Sequence, residues 1–320
     1  MKYGQVRGVA KPVSRLVLGT MSLSASEKEQ SFSLLDAAYA TGINTFDAAH
    51  VYGGGEAERA LGAWVGERGL RGSVVVLDKG CHPGGGRMRV TPSDLTADLS
   101  ESLERLRFDY VDIYMLHRDD PAVDVGPIVE TLNEHLAAGR MRAFGASNWR
   151  HERIEEANEY AAKRGLAPFA AGSPNYGLAE QVEDPWGPGC VSISGPGGAE
   201  ARAWYARTRT AVFAYSSLGR GLFSGRVDRG NFPAAVDGAC LKAYCHEVNF
   251  RRLDRVRTLA AEKGVAVPQL ALAYVLNQPL DVFALVGAAT PEECEQDAAA
   301  VDIALAPGET AWLDLGGEDR

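Results

Sequence analysis

The stretch "FDAAHVYGGGE" (46–56) ends an apolar run in a carboxylate, Asp47, and sets a phenol, Tyr52, just beyond it. Two further apolar runs end in polar groups: "SVVVLDK" (73–79) in Lys79 and "YVDIYMLH" (110–117) in His117. A phenol titrates near ~10, too high for easy proton exchange at neutral pH. A nearby ammonium favours the phenolate and lowers that value. An aspartate beside the lysine keeps it charged and oriented. An imidazole in reach can donate a hydrogen bond to a carbonyl oxygen and hold a substrate in place. Together the four side chains suit proton transfer to a developing alkoxide, coupled to hydride delivery. Singly, each has a plainer reading: Asp47 a cap, Lys79 a solvated strand end, His117 a structural histidine, Tyr52 rim packing. Those readings require four coincidences at one face.

That face must come from the elements around it. Short β-branched runs recur at 15–19, 43–47, 73–79, 110–117, 141–147, 168–173, 211–215 and 281–287. Amphipathic stretches separate them, at 26–42, 91–109, 126–139, 251–264 and 290–302. The second opens "TPSD", with Thr91 placed as N-cap and Pro92 at the first helical position, and the first ends at Gly42, a C-terminal stop. Eight strands alternating with helices imply a closed parallel (β/α)8 TIM barrel, a single domain over residues 1–320. A short alternating segment in the first twelve residues reads as a β-hairpin closing the barrel's bottom. In such barrels chemistry gathers at the C-terminal ends of the strands. Asp47, Lys79, His117, Ser147–Asn148 and Tyr215–Ser216–Ser217 all fall there. A doubly wound sheet would need a glycine-rich turn after the first strand, but "GTMSLSASEKE" follows instead. Two long connections, 174–197 and 219–248, are candidates for function.

Composition narrows the classes. With 33 Lys+Arg against 42 Asp+Glu the chain carries −9, which argues against a nucleic-acid or anionic-membrane binder. No apolar run approaches the ~20 residues of a membrane span, and the N-terminus lacks a signal-peptide core. Five cysteines without CxxC spacing read as reduced thiols in a cytoplasmic protein, with Cys240 and Cys245 as potential neighbours. Metal-ligand spacings such as HExxH are missing from the sequence, so no metal is expected.

The sequence resembles the aldo-keto reductase family. "GINTFDAAHVYGGGEAERALG" is similar to its tyrosine signature, "VDIYMLHRDDP" to its histidine segment and "GRMRAFGASNW" to its Ser-Asn segment. "FAYSSLGRGLFSG" resembles the loop after the seventh strand, and "VGAATPEECEQDAAAV" the C-terminal cofactor segment. The likeness runs in order over residues 3–315. It implies reduction of an aldehyde or ketone, with the tetrad on Asp47, Tyr52, Lys79 and His117. Tyr52 is then the general acid, Lys79 its activator, Asp47 the partner of Lys79, and His117 the orienter of the carbonyl. It further implies Ser147 and Asn148 on the nicotinamide carboxamide, Tyr215 stacked on the ring, and Ser216, Ser217, Leu218 and Arg220 around the pyrophosphate. Gly19, Thr20 and Met21 match the first loop beside the ribose, and Gly287, Ala289, Thr290, Glu293 and Asp297 the adenosine end. The family uses NADPH more often than NADH; both stay open here.

Two features depart from the family pattern. Ser173 stands where a glutamine often grips the carboxamide. At the adenosine end Ala289, Glu293 and Asp297 replace residues that favour a 2′-phosphate, and the two acids would repel it if they faced it; Thr290 and Arg220 offer compensation. Trp186, in the loop 176–197, is expected to line the substrate pocket with Tyr52 and His117. The short tail after "AWLDLGG" favours carbonyl substrates other than steroids, sugar-like ones included. The expected partner is a small carbonyl compound, with no nucleic acid or membrane; a homo-oligomer stays open. The alternatives are a cofactor-binding redox-sensing barrel without turnover, and a lyase or epimerase using transient oxidation.

Overall fold

The computed structural model describes residues 1–317; the last three positions of the expected 1–320 unit lie outside the described residues. Eight parallel strands close into a barrel. They are β3 (Leu16–Gly19), β4 (Thr45–Asp47), β5 (Val75–Gly80), β6 (Val111–Leu116), β7 (Met141–Ser147), β8 (Ala171–Ser173), β9 (Ala211–Ala214) and β10 (Val282–Val286). Each pairs with the next, and β10 pairs with β3 to complete the ring. Before them β1 (Tyr3–Gly4) and β2 (Val13–Ser14) form the antiparallel hairpin. It plugs the bottom: Val6, Val9 and Val13 join the core inside the barrel, and Ser14 N–H donates to the Asn44 and Thr45 side chains at the start of β4.

Strand residues alternate between the two faces. Val17, Val75, Leu77, Ile113, Met115, Phe213 and Phe283 fill the interior, while Leu18, Phe46, Val76, Tyr114, Phe144 and Val212 pack outward on the helices. Carried to the strand ends, the inward parity falls on Gly19, Asp47, Lys79, His117, Ser147, Ser173, Tyr215 and Gly287. The pleat therefore aims Asp47, Lys79, His117, Ser147 and Tyr215 toward the axis, while Asn148 and Ser216 fall on the other parity. The same rule turns Asp78 outward, into the helix layer.

The expected helices form as α1 (Lys28–Ala40), α3 (Pro92–Leu106), α4 (Val125–Ala137), α9 (Glu247–Lys263) and α11 (Pro291–Ala298). Thr91 caps α3, its hydroxyl accepting from Asp94 N–H at 3.2 Å, and Thr290 caps α11 likewise. Gly42 lies just past the end of α1 with φ 92°, a conformation that costs glycine little. Four further helices complete the expected alternation, in stretches not singled out in the sequence: α2 (Glu56–Arg68), α5 (His151–Arg164), α6 (Ala199–Thr208) and α10 (Val267–Leu276). The 219–248 connection holds α7 (Phe232–Ala235) and α8 (Gly238–Ala243). Last comes α12 (Pro307–Leu313). The 174–197 connection folds back over the mouth, where Asn175 bridges to Ser192 and Tyr215. No single helix among the described residues is long and apolar enough to cross a membrane.

Candidate active site

At the C-terminal mouth, Lys79 Nζ stands 2.6 Å from Asp47 Oδ1 and 3.3 Å from the Tyr52 hydroxyl. It also donates to the Ala48 carbonyl at 3.1 Å. The Tyr52 ring meets the His117 ring edge-on at 5.9 Å between centroids. Asp47, Lys79 and His117 are buried, and Tyr52 is half-buried at the rim. The four residues leave different elements: β4, the turn after it, β5 and the end of β6. Thr20 fixes Asp47 in place, since its N–H and its hydroxyl both donate to the Asp47 carbonyl, at 3.0 and 2.9 Å.

The electrostatics follow from burial and this geometry. Burial raises the Tyr52 pKa above the usual phenol value, and Lys79 opposes the rise without cancelling it. The net lowering anticipated from the lysine therefore does not result, because desolvation outweighs the ammonium. The phenol is protonated at neutral pH, the form a proton donor needs. At Lys79 burial disfavours the charge, but Asp47 and then Tyr52 push its pKa above the ordinary lysine value. Burial raises Asp47, and Lys79 counters it. His117 is driven well below the usual imidazole value, first by burial and then by Lys79, Arg118 and His82. It is therefore a neutral imidazole, and its Nδ1 has no hydrogen-bond partner among the described residues.

The expected cofactor residues divide into those with spare polar groups and those already committed. Ser147 Oγ donates to the Ser173 carbonyl at 3.0 Å. Asn148, in the left-handed region with φ 59°, uses its whole amide. Its Nδ2 donates to the His117 carbonyl and Ser147 Oγ, and its Oδ1 accepts from the Tyr215 hydroxyl at 2.8 Å and Val191 N–H at 3.1 Å. Ser173 Oγ, by contrast, is buried and unpartnered among the described residues. After β9 the turn carries left-handed residues at Ser216, Gly219, Arg220 and Gly221. The amides of Ser217 and Leu218 meet no acceptor among the described residues, while Ser217 Oγ donates to the Ala214 carbonyl. Arg220 pairs with Asp237 and lies 4.9 Å from the centre of the Trp186 ring. Trp186 is half exposed and 6.0 Å from the Tyr215 ring. Its ring contacts thus run to the β9 turn and not to Tyr52 or His117 among the described residues. Met21 projects into solvent.

At the other end Gly287, Ala289 and Thr290 are exposed. Glu293 is held by Arg226 at 3.0 Å and by Ala289 N–H at 2.9 Å. Asp297 is buried, with its pKa raised to about 7, mostly by burial and then by Glu293. One acid is thus neutralised and the other turned inward, which removes most of the repulsion expected from the sequence. Sequence reasoning missed three cationic or titratable groups: Arg226 here, and His82 and Arg118 at the mouth. The "HRDD" that follows β6 was the only signal for Arg118; nothing local marked the other two.

A closed parallel barrel with an Asp-Lys-Tyr-His cluster at its mouth, a spare serine hydroxyl and a turn of unspent amides defines an oxidoreductase of the (β/α)8 class. The family model described as Aldo/keto reductase family matches residues 15–187 and 200–314, and the chain belongs to that family. It is 27% identical to the aldo-keto reductase YhdN of Bacillus subtilis, over 92% of this chain and 87% of that protein. It is 26% identical to a probable voltage-gated potassium channel subunit beta of Oryza sativa, over 95% and 92%. Among solved structures it resembles an aldo-keto reductase from Klebsiella pneumoniae in complex with NADPH, with a TM-score of 0.73, 28% identity, and coverage of 98% of this chain and 95% of that one.

Proposed function

We propose that this protein reduces a small aldehyde or ketone to the alcohol with NADPH. The observation that carries the reading is the chain from Asp47 through Lys79 to Tyr52, at 2.6 and 3.3 Å, beside a neutral His117. When bound, the nicotinamide supplies the hydride. His117 donates a hydrogen bond to the carbonyl oxygen. Tyr52 gives its hydroxyl proton to that oxygen as it becomes an alkoxide. Lys79 stabilises the phenolate left behind, and Asp47 keeps Lys79 charged. Ser173 Oγ is the group free to hold the carboxamide, with Asn148 serving to lock Tyr215. The amides of Ser217 and Leu218 suit the pyrophosphate, and Arg226 suits a 2′-phosphate. The NADPH-bound structural relative supports this cofactor. The five cysteines are free thiols, Cys240 and Cys245 with sulfurs 3.9 Å apart, which supports a reducing compartment such as the cytoplasm.

Tyr52→Phe tests the reading. It is expected to bind NADPH as the wild type does, by fluorescence titration, while losing about 10²–10⁴-fold in turnover. A variant that keeps most of its kcat would end the assignment of Tyr52. The potassium-channel relative favours a second reading, a barrel that binds the cofactor and reports its redox state to a partner. Stoichiometric loss of NADPH with an aldehyde panel distinguishes reduction from that role.

A further inference from the structure

Arg118 directly follows His117, half-buried at the mouth of the barrel. Its one hydrogen bond among the described residues runs from Nη1 to the His117 carbonyl at 3.1 Å. A guanidinium has five N–H donors, so four remain. No carboxylate among the described residues lies within ion-pair distance of it, although the chain is rich in acids. The acids nearest in sequence are engaged elsewhere: Asp119 faces Arg153 and Asp120 caps Ala122 N–H. In the loop that crosses the mouth, Asp184 accepts from the Gln181 side chain and Cys190 N–H. The backbone of Arg118 is pinned by Trp149 Nε1, which donates to its carbonyl at 3.0 Å.

The position of this charge is set by what surrounds it. It acts on Tyr52 after β4, His82 after β5, His117 at the end of β6, Cys190 in the crossing loop and Tyr215 at the end of β9. The bond from Nη1 to the His117 carbonyl holds the guanidinium beside the end of β6, next to the residue that faces Tyr52. His82 forms the neighbouring wall, its ring edge-on to His117 at 4.9 Å and its Nδ1 3.0 Å from the Pro83 carbonyl.

We propose that Arg118 is an anion-recognition residue and that the substrate carries a carboxylate or phosphate beside the carbonyl presented to Tyr52 and His117. A planar fork with four spare donors matches either group in two-point fashion. A partly desolvated guanidinium without a counterion is costly to leave bare, and an anionic substrate supplies the missing charge. This rests on the carbonyl-reductase reading above.

The test compares matched carbonyl pairs with NADPH: succinic semialdehyde against butyraldehyde for the carboxylate, and glyceraldehyde 3-phosphate against glyceraldehyde for the phosphate. Wild type is expected to favour at least one anionic twin by tenfold or more in kcat/KM. In Arg118→Gln that ratio falls to about one, and Arg118→Lys restores part of it. The arm that shows the preference identifies the group. A ratio near one in wild type, or a preference that survives Arg118→Gln, overturns the proposal. A second measurement is independent of turnover: calorimetric titration of the NADP-loaded protein with malonate and with inorganic phosphate. Binding of either that is lost in Arg118→Gln supports the subsite even if no carbonyl compound is reduced, in which case the reductase reading fails alone. Reduction of the neutral twins with no anion preference and no anion binding leaves the reductase reading and removes this one.

Discussion

Replacing Lys79 with methionine keeps the length of the side chain and deletes its charge. The ammonium lies 3.3 Å from the Tyr52 hydroxyl. At an effective dielectric of about 20, a full phenolate charge at that distance is stabilised by about 5 kcal/mol. With the proton half transferred, about half of this is felt, or ~2.5 kcal/mol, which is roughly 70-fold in rate. The substitution also leaves Asp47 buried with no counterion, so it takes up a proton in the variant. The double variant Lys79→Met/Asp47→Asn removes that ambiguity, because the amide has the shape of the acid and no charge. Both variants are expected to lose about 30–100-fold in the single-turnover rate of NADPH oxidation at pH 7, and to agree within about threefold. Their NADPH affinity, by fluorescence titration, is expected to stay close to that of the wild type. Deleting the ammonium also raises the Tyr52 pKa, so the alkaline limit of reduction moves to higher pH in the single variant. A loss below about fivefold, with cofactor binding intact, would refute the claim that Lys79 stabilises the phenolate.

Two further expectations concern the adenosine end. Arg226→Ala releases Glu293 and deletes the nearest cation, so NADPH is expected to bind about tenfold more weakly while NADH is little changed; equal losses for both cofactors would place Arg226 away from the 2′-phosphate. Asp297, with its pKa near 7, gains charge as pH rises from 6 to 8, so NADPH affinity should fall over that range and the fall should vanish in Asp297→Asn. The same group sets a stability difference. Because its folded pKa lies above the ordinary Asp value of 3.8, the folded state holds the proton more tightly, and its contribution declines as pH rises from about 4 to about 7. Asp297→Asn should thus gain Tm relative to wild type by a few degrees between pH 5 and pH 8, and an unchanged gap would show that the buried acid does not titrate there.

The barrel was legible because its strands advertise themselves: most buried runs stop at a polar residue, two stop at glycines, and the inward parity of those ends repeats from strand to strand. The helices were less legible for opposite reasons. Val267–Leu276 is buried on nearly every side and shows no polar stripe, whereas Ala199–Thr208 buries only Trp204 and Tyr205. The tetrad needed only the strand ends and the turn carrying Tyr52, so one dimension sufficed to find it. Asn148 shows the limit: its type and position suit a carboxamide, but its amide is consumed by Tyr215, Val191 and two neighbours. Arg118, His82 and Arg226 take their meaning from loops that meet only after folding, and spacing along the chain does not encode such meetings.

The ring of strands closes where β10 meets β3, joining segments near the two ends of the chain. The strand ends that form the mouth run from Gly19 to Gly287, so no fragment holds them all. The mouth is therefore complete only once the last strand is seated against the first. The closing β10–β3 seam thus ties the first barrel strand to the last, and the adenosine end at Gly287 to the loop at Gly19.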